Sequence, residues 1–242
     1  MKTYAETSDI LKKIYFEIDQ LSQNPKNIKD YSKFHKDGKV HIKITVPLTR
    51  KVASRNFKLV KHMSKKHILY LCTQLLQRKD DTYRLIAFDW AFKLKKYYKK
   101  DDFKIFEGWL KKHIDTWENC DDLCTHALGN FIYQFPEFIP QIENLTKSKN
   151  RWVRRGSAVM LIYSLRKGKY LKEALNIAKI LSNDNDNLVQ KGCGWMLKEA
   201  SKLYQKEVFN FIMINKNVIP PITIRYSIEK MPKKLRSDIL KG

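Results

Sequence analysis

Residues 113 to 124, HIDTWENCDDLC, crowd Asp115, Glu118, Asp121 and Asp122 around the indole of Trp117. A carboxylate can stabilise a developing positive charge or orient a water for attack. An indole offers a cation the electron-rich face of its ring. Trp117 and Asp121 are spaced so that a helix beginning early enough stacks them one turn apart. Cys120, Cys124 and His126 lie in or just beyond the stretch and are residue types that ligate zinc. Their spacing matches no usual ligand pair, so no metal or other cofactor is expected. Taken singly, the acids have an ordinary account. Asp121 would be a first-turn residue favoured by the helix dipole after Asn119 as cap, and Asp115, Glu118 and Asp122 would be charges near helix ends.

The surroundings make the cluster unusual. The chain of 242 residues carries 48 Lys plus Arg against 25 Asp plus Glu, a formal charge of +23. A polyanionic partner follows, with nucleic acid the first candidate. No apolar run approaches the roughly eighteen residues of a spanning helix, and the start MKTYAETSDILKK lacks a signal peptide's apolar segment. The sequence therefore predicts a soluble cytoplasmic protein with no membrane partner. Cys72, Cys120, Cys124 and Cys193 show no disulfide-framework spacing and read as reduced thiols.

Glycine and proline are scarce, and apolar residues recur at three-and-four spacing almost throughout, which predicts an all-α fold. Helices are expected at about 4 to 22, 49 to 65, 67 to 78, 82 to 99, 102 to 114, 120 to 134, 137 to 147, 151 to 166, 170 to 182, 187 to 203, 206 to 215 and 220 to 230. Residues 35 to 48 are the exception, where Gly38, β-branched alternation and Pro47 indicate an extended loop. Short helices with brief connectors favour antiparallel pairs stacked in series. YRLIAFDWAF from Tyr83, WVRRGSAVML from Trp152 and LVQKGCGWML from Leu188 share a small residue at Ala87, Gly156 and Gly192 and an apolar one at Trp90, Val159 and Trp195. These look like degenerate repeats near the period of HEAT-type helix pairs. The expected architecture is one domain over residues 1 to 242, an α-solenoid with a basic concave groove.

The cations recur with the repeats. Lys51, Arg55, Lys58, His62 and Lys65 fall on one stripe of a helix whose other face carries Val52, Leu59, Val60 and Met63. KLKKYYKK at 93 to 100, RWVRR at 151 to 155, KGCGWMLK at 191 to 198 and KKLR at 233 to 236 add basic residues farther along. Lys51, Arg55, Lys58, Lys65, Arg154, Lys191 and Lys198 are the candidate contacts to a duplex backbone. A charged stripe can also be only a solvated face, and a tryptophan only core.

Trp117 with Asp121 (WENCD), Trp152 with Arg155 (WVRR) and the segment QKGCGWMLKE from Gln190 to Glu199 resemble the DNA alkylation repair family, the AlkD-type glycosylases built from HEAT-like repeats. The likeness runs from about the VPLTRKVA helix to the SIEKM helix. HIKITVP departs from the glycine-led loop of the family pattern. The resemblance implies excision of positively charged N3- or N7-alkylated purines from double-stranded DNA, by a monomer, without flipping the base. It places the catalytic carboxylate on Asp121, sugar-facing indoles on Trp117 and Trp195, and the active-site arginine, holding a phosphate, on Arg155. The chemistry is coherent. An alkylated purine is already a cationic leaving group, so the enzyme need only stabilise an oxocarbenium-like sugar and admit a water. One carboxylate can do that, where ordinary glycoside hydrolysis uses two. A fork-shaped guanidinium suits phosphate oxygens. The alternative is a HEAT-repeat DNA-binding or repair accessory protein without chemistry; a helical-repeat adaptor for an acidic protein is a third reading. No lysine is nominated as a lyase nucleophile.

Overall fold

The computed structural model describes residues 2–34 and 42–241. The chain forms two compact units, Met1–Tyr97 and Tyr98–Gly242.

In the first unit, α1 (Lys2–Ser22) is followed by the short strands β1 (Ile28–Asp30) and β2 (Ile42–Ile44), then by α2 (Val46–Val60), α3 (Lys65–Leu76) and α4 (Asp81–Lys93). The strands pair antiparallel with Ile28 opposite Ile44, the one ladder among the described residues of an otherwise all-α fold. Residues 42–44 of the expected loop are thus a strand, and 35–41 lie outside the described residues. The helix expected over 49 to 65 begins at Val46 and ends at Val60. Pro47 sits in its first turn, where a missing N–H leaves nothing unpaired, so the proline opens the helix instead of preceding it. Ser64, accepting from the His67 N–H, caps a new helix. The cationic stripe is broken by this turn: Lys51, Arg55 and Lys58 share α2, while Lys65 opens α3. Leu59 is exposed, not on the buried face. Val52, Ala53, Val60, Leu71, Leu75 and Trp90 are buried among α2, α3 and α4. Each large apolar side chain so buried contributes about 1.5–3 kcal/mol.

The second unit contains α5 (Asp102–Lys112), α6 (Trp117–Leu123), a π-helical turn over Cys124–Leu128, α7 (Gly129–Gln134), α8 (Ile139–Leu145), α9 (Arg151–Val159), α10 (Ile162–Leu165), α11 (Leu171–Leu181), α12 (Asn187–Ser201), α13 (Gln205–Asn215), α14 (Pro221–Ser227) and α15 (Lys233–Lys241). The last was not expected, because KKLR reads as a basic run. α9 packs against α6 on one side and α12 on another, and α12 packs in turn against α14. Helix starts follow their caps: Asn150 accepts from the Trp152 N–H (2.9 Å) and Asp186 from the Leu188 N–H (2.8 Å). The small residues of the repeat pattern lie at close approaches. A Cβ on Gly156 would meet Leu110 at 3.0 Å, and one on Gly192 would meet the Arg155 side chain at 3.0 Å.

Among the described residues, no helix is long and apolar enough to cross a membrane. The four cysteines are buried and unbridged.

Candidate active site

Thr116, in extended conformation, accepts a hydrogen bond from the Asn119 N–H and caps α6. Asn119 is therefore inside the helix, and its side chain donates to Thr116 Oγ1 (2.7 Å). The helix begins at Trp117, so Asp121 stands one full turn in and is not the first-turn residue of the ordinary account. Directly after it the chain widens into the π turn, whose Thr125 hydroxyl donates to Asp121 O (2.7 Å). Such turns often occur at functional sites.

Of the four acids, Asp121 is the one that meets Arg155. Arg155 Nε donates to Oδ1 at 2.9 Å and Nη2 to Oδ2 at 2.8 Å, a bidentate pair between α6 and α9. The side chains are 14 % exposed at Asp121 and 6 % at Arg155. Nη1 donates to Leu188 O, which ties the guanidinium to the first turn of α12. Gly192 leaves room for this: a Cβ there would lie 3.3 Å from Nη1. Asp115 is exposed, and Asp122 pairs with His126 (3.3 Å).

Burial pushes the Asp121 carboxyl above the ordinary aspartate value, and Arg155 pulls it down. At Arg155 burial works to lower the value, but Asp121 outweighs it and the net shift is upward. The bidentate geometry and the intrinsic basicity of a guanidinium keep Arg155 charged.

The two indoles differ in attachment. Trp117 is half-buried at the start of α6. Trp195, also half-buried, projects from α12, and its Nε1 donates to Glu199 Oε1 at 3.3 Å. Trp152, which set the register for Arg155, accepts a hydrogen bond from Cys120 Sγ at its backbone carbonyl (3.4 Å).

The candidate backbone contacts divide. Lys51 and Lys58 are exposed on α2, and Lys65 is half-buried. Arg55 is exposed and paired with Glu17. Arg154 is tied to Asp184 (2.6 Å) and to Ser148 O (2.8 Å). Lys198 pairs with Glu229 (2.9 Å), and Lys191 lies 5.8 Å from the Tyr226 ring. Among the described residues, no group of three or more His, Cys, Asp or Glu side chains is arranged to hold a metal ion.

Sequence reasoning assigned no role to Leu188 O or Glu199. A backbone carbonyl leaves no mark in residue type. Glu199 had a faint signal in its one-turn spacing from Trp195 within QKGCGWMLKE.

In this all-α fold α6 and α9 join a largely buried carboxylate to a guanidinium, and half-buried indoles stand on α6 and α12. The sequence profile of the DNA alkylation repair enzyme family matches residues 20–231, and the chain belongs to that family. Three solved structures share the fold. A predicted DNA alkylation repair enzyme from Enterococcus faecalis is 16% identical, with 78% of this chain and 87% of that one covered and a TM-score of 0.70. The smu.31 protein of Streptococcus mutans is 19% identical over 79% of this chain and 94% of its own, with a TM-score of 0.57. AlkD2 from Streptococcus mutans is 21% identical over 78% and 88%, with a TM-score of 0.56. Among curated protein sequences, nothing matches.

Proposed function

We propose that this protein is a monofunctional DNA glycosylase that hydrolyses the N-glycosidic bond of positively charged N3- or N7-alkylated purines in duplex DNA. One observation carries the reading: a largely buried carboxylate, Asp121, held in a fixed plane by a bidentate arginine in a chain of formal charge +23. A basic protein attracts DNA, while the bond to be broken develops positive charge at the sugar, where an anion is needed. Because the base leaves already cationic, no general acid is required and none is assigned.

Asp121 stabilises the oxocarbenium-like sugar and orients the attacking water. Arg155 takes one lone pair from each carboxylate oxygen and leaves the others for sugar and water. The N–H groups of Arg155 not used on Asp121 and Leu188 are what its phosphate role rests on. Trp117 and Trp195 offer their π faces to the sugar cation. A half-buried indole can do so; a fully buried one cannot. Contact with sugar and backbone, and not with the base, makes flipping unnecessary.

Double-stranded DNA is the partner, reached in the cell interior by a monomer without cofactor. Lys51, Arg55, Lys58, Lys65, Arg154, Lys191 and Lys198 remain the candidate backbone contacts, with Lys51 and Lys58 the most available by exposure. The HEAT-like repeat reading belongs to the same proposal, supported within the second unit by the serial packing of α6, α9, α12 and α14; the single domain over 1 to 242 and the basic groove rest on the sequence alone.

Release of 7-methylguanine and 3-methyladenine from methylated duplex DNA tests the reading. Wild type should release base well above the no-enzyme rate, and Asp121→Asn should fall by about 10²–10³-fold, as when one preorganised electrostatic group is lost. Wild-type release equal to the no-enzyme rate sinks it; salt-sensitive duplex binding in the same preparation would then leave the non-catalytic DNA-binding reading.

A further inference from the structure

Glu199 is an unusual residue to find 5 % exposed on α12. Acids that are this buried are normally paired, and Glu199 is paired twice. Oε2 accepts from Arg166 Nε (2.8 Å) and Lys202 Nζ (2.8 Å), and Oε1 accepts from Lys202 Nζ (2.9 Å). Arg166 follows α10, and Lys202 lies at the end of α12 itself, so the carboxylate is braced from two elements. The remaining contact is the indole N–H of Trp195, on Oε1 at 3.3 Å.

We propose that Glu199 is a positioning residue for Trp195, fixing the plane of its indole and enriching its π face for a cationic sugar. This rests on the glycosylase reading above. The physical argument has two parts. A half-buried indole has a free torsion about its ring axis, and a hydrogen bond to a carboxylate that is itself held by three others selects one orientation. The bond is long for N–H···O, so its effect comes from the fixed position of the acceptor more than from its own strength. Second, an anion accepting from Nε1–H pushes electron density into the ring, and the attraction of a ring for a cation grows with the negative potential of its face. The carboxyl is available as an anion at any working pH. Burial raises its pKa, but Arg166 and Lys202 outweigh burial and hold it at about 2.

A double-mutant cycle over Trp195→Phe and Glu199→Gln, read by single-turnover base release, tests the idea. Glu199→Gln should lower the chemical rate about tenfold with duplex affinity little changed, the size expected for one hydrogen bond to a charged group. In the Trp195→Phe background, which has no N–H to hold, the same change should have almost no further effect. Additive losses would mean that Glu199 only supports the fold and would overturn the proposal. Glu199→Asp keeps the charge but withdraws it by one methylene, and should resemble Glu199→Gln in rate while staying folded by thermal melt. If wild type releases no base at all, the enzyme reading fails separately. The clamp is then read by ¹⁹F NMR of protein labelled with 5-fluorotryptophan, in which Glu199→Gln should shift or broaden the Trp195 resonance, assigned by its loss in Trp195→Phe. An unmoved resonance rejects the clamp.

Discussion

Each unit holds a carboxylate beside tryptophan and cations, and the two are put to different use. In the first unit Asp89 on α4 is 14 % exposed, the same as Asp121 on α6 in the second. Asp89 is paired with Lys93 (2.7 Å) and lies 3.7 Å from Arg50. Its neighbour Trp90 is fully buried, and the indole N–H donates to Ala53 O (2.8 Å), closing α4 onto α2. Asp121 is instead held in both oxygens by one planar guanidinium, and Trp117 and Trp195 keep part of their surfaces exposed. The same residue types thus serve as scaffold in one place and as candidate machinery in the other. What separates them is geometry and access: lysine is a point charge that balances an anion, whereas a bidentate arginine orients it, and an indole sealed in the core offers no face to a ligand.

This contrast can be broken at several points. Trp90→Ala should cost about 3–5 kcal/mol of folding stability, the usual range for emptying an aromatic core site, read as a lowered midpoint in urea; a loss as small as that of the part-exposed Trp195→Ala would erase the distinction. Asp121→Asn should abolish most base release, by the factor given above, while Asp89→Asn should leave the rate per folded molecule within about twofold, since its charge is balanced by Lys93 and Arg50 on the first unit's own helices. Equal losses at both positions would show that charge in general, and not the oriented carboxylate, is what matters.

A smaller effect is expected in stability against pH at Glu199. Its folded pKa, held at about 2 against an ordinary 4.5, means that the pairing stabilises the fold above about pH 4.5 and that this contribution fades as pH falls towards 2. Wild type should therefore exceed Glu199→Gln by about 1–2 kcal/mol at pH 7, after discounting for partners that are half exposed, with the gap shrinking on acidification. A gap that stays constant down to pH 2 contradicts the ion-pair origin. The smallest changes concern DNA affinity: Lys51→Ala and Lys58→Ala should each weaken duplex binding modestly and reduce the salt dependence by about one counterion. Arg154→Ala should change the slope less and stability more, because Asp184 already holds its guanidinium.

Much of this was legible in the chain itself. Apolar periodicity announces an all-α fold, because a helix must bury one face whatever it packs against. Asn150 and Asp186 cap helices where starts at about 151 and 187 are expected, whereas the helix expected over 49 to 65 runs through Ser64, which caps α3. The Trp117 to Asp121 spacing, like a cap, is local to the chain. Pro47 misled because proline both breaks a helix interior and favours a first turn, and only the surrounding chain selects between the two. The repeat pattern of small residues, with Gly156 and Gly192 at their shared position, foretold close approaches without saying what would be approached.

Composition and periodicity by themselves determined the helical class and the cationic character, since charge and apolar spacing are properties of the chain, and the motifs pointed to the alkylation repair family. Tertiary structure alone decided which acid meets which base. Asp121 and Arg155 are 34 residues apart and Arg155 and Leu188 33, separations closed by the packing of α6, α9 and α12. The same packing gave Arg166, just after α10, a hold on Glu199 of α12. Such pairings depend on side-chain volumes at distant crossings, including the space left by Gly192, and no local rule carries that information.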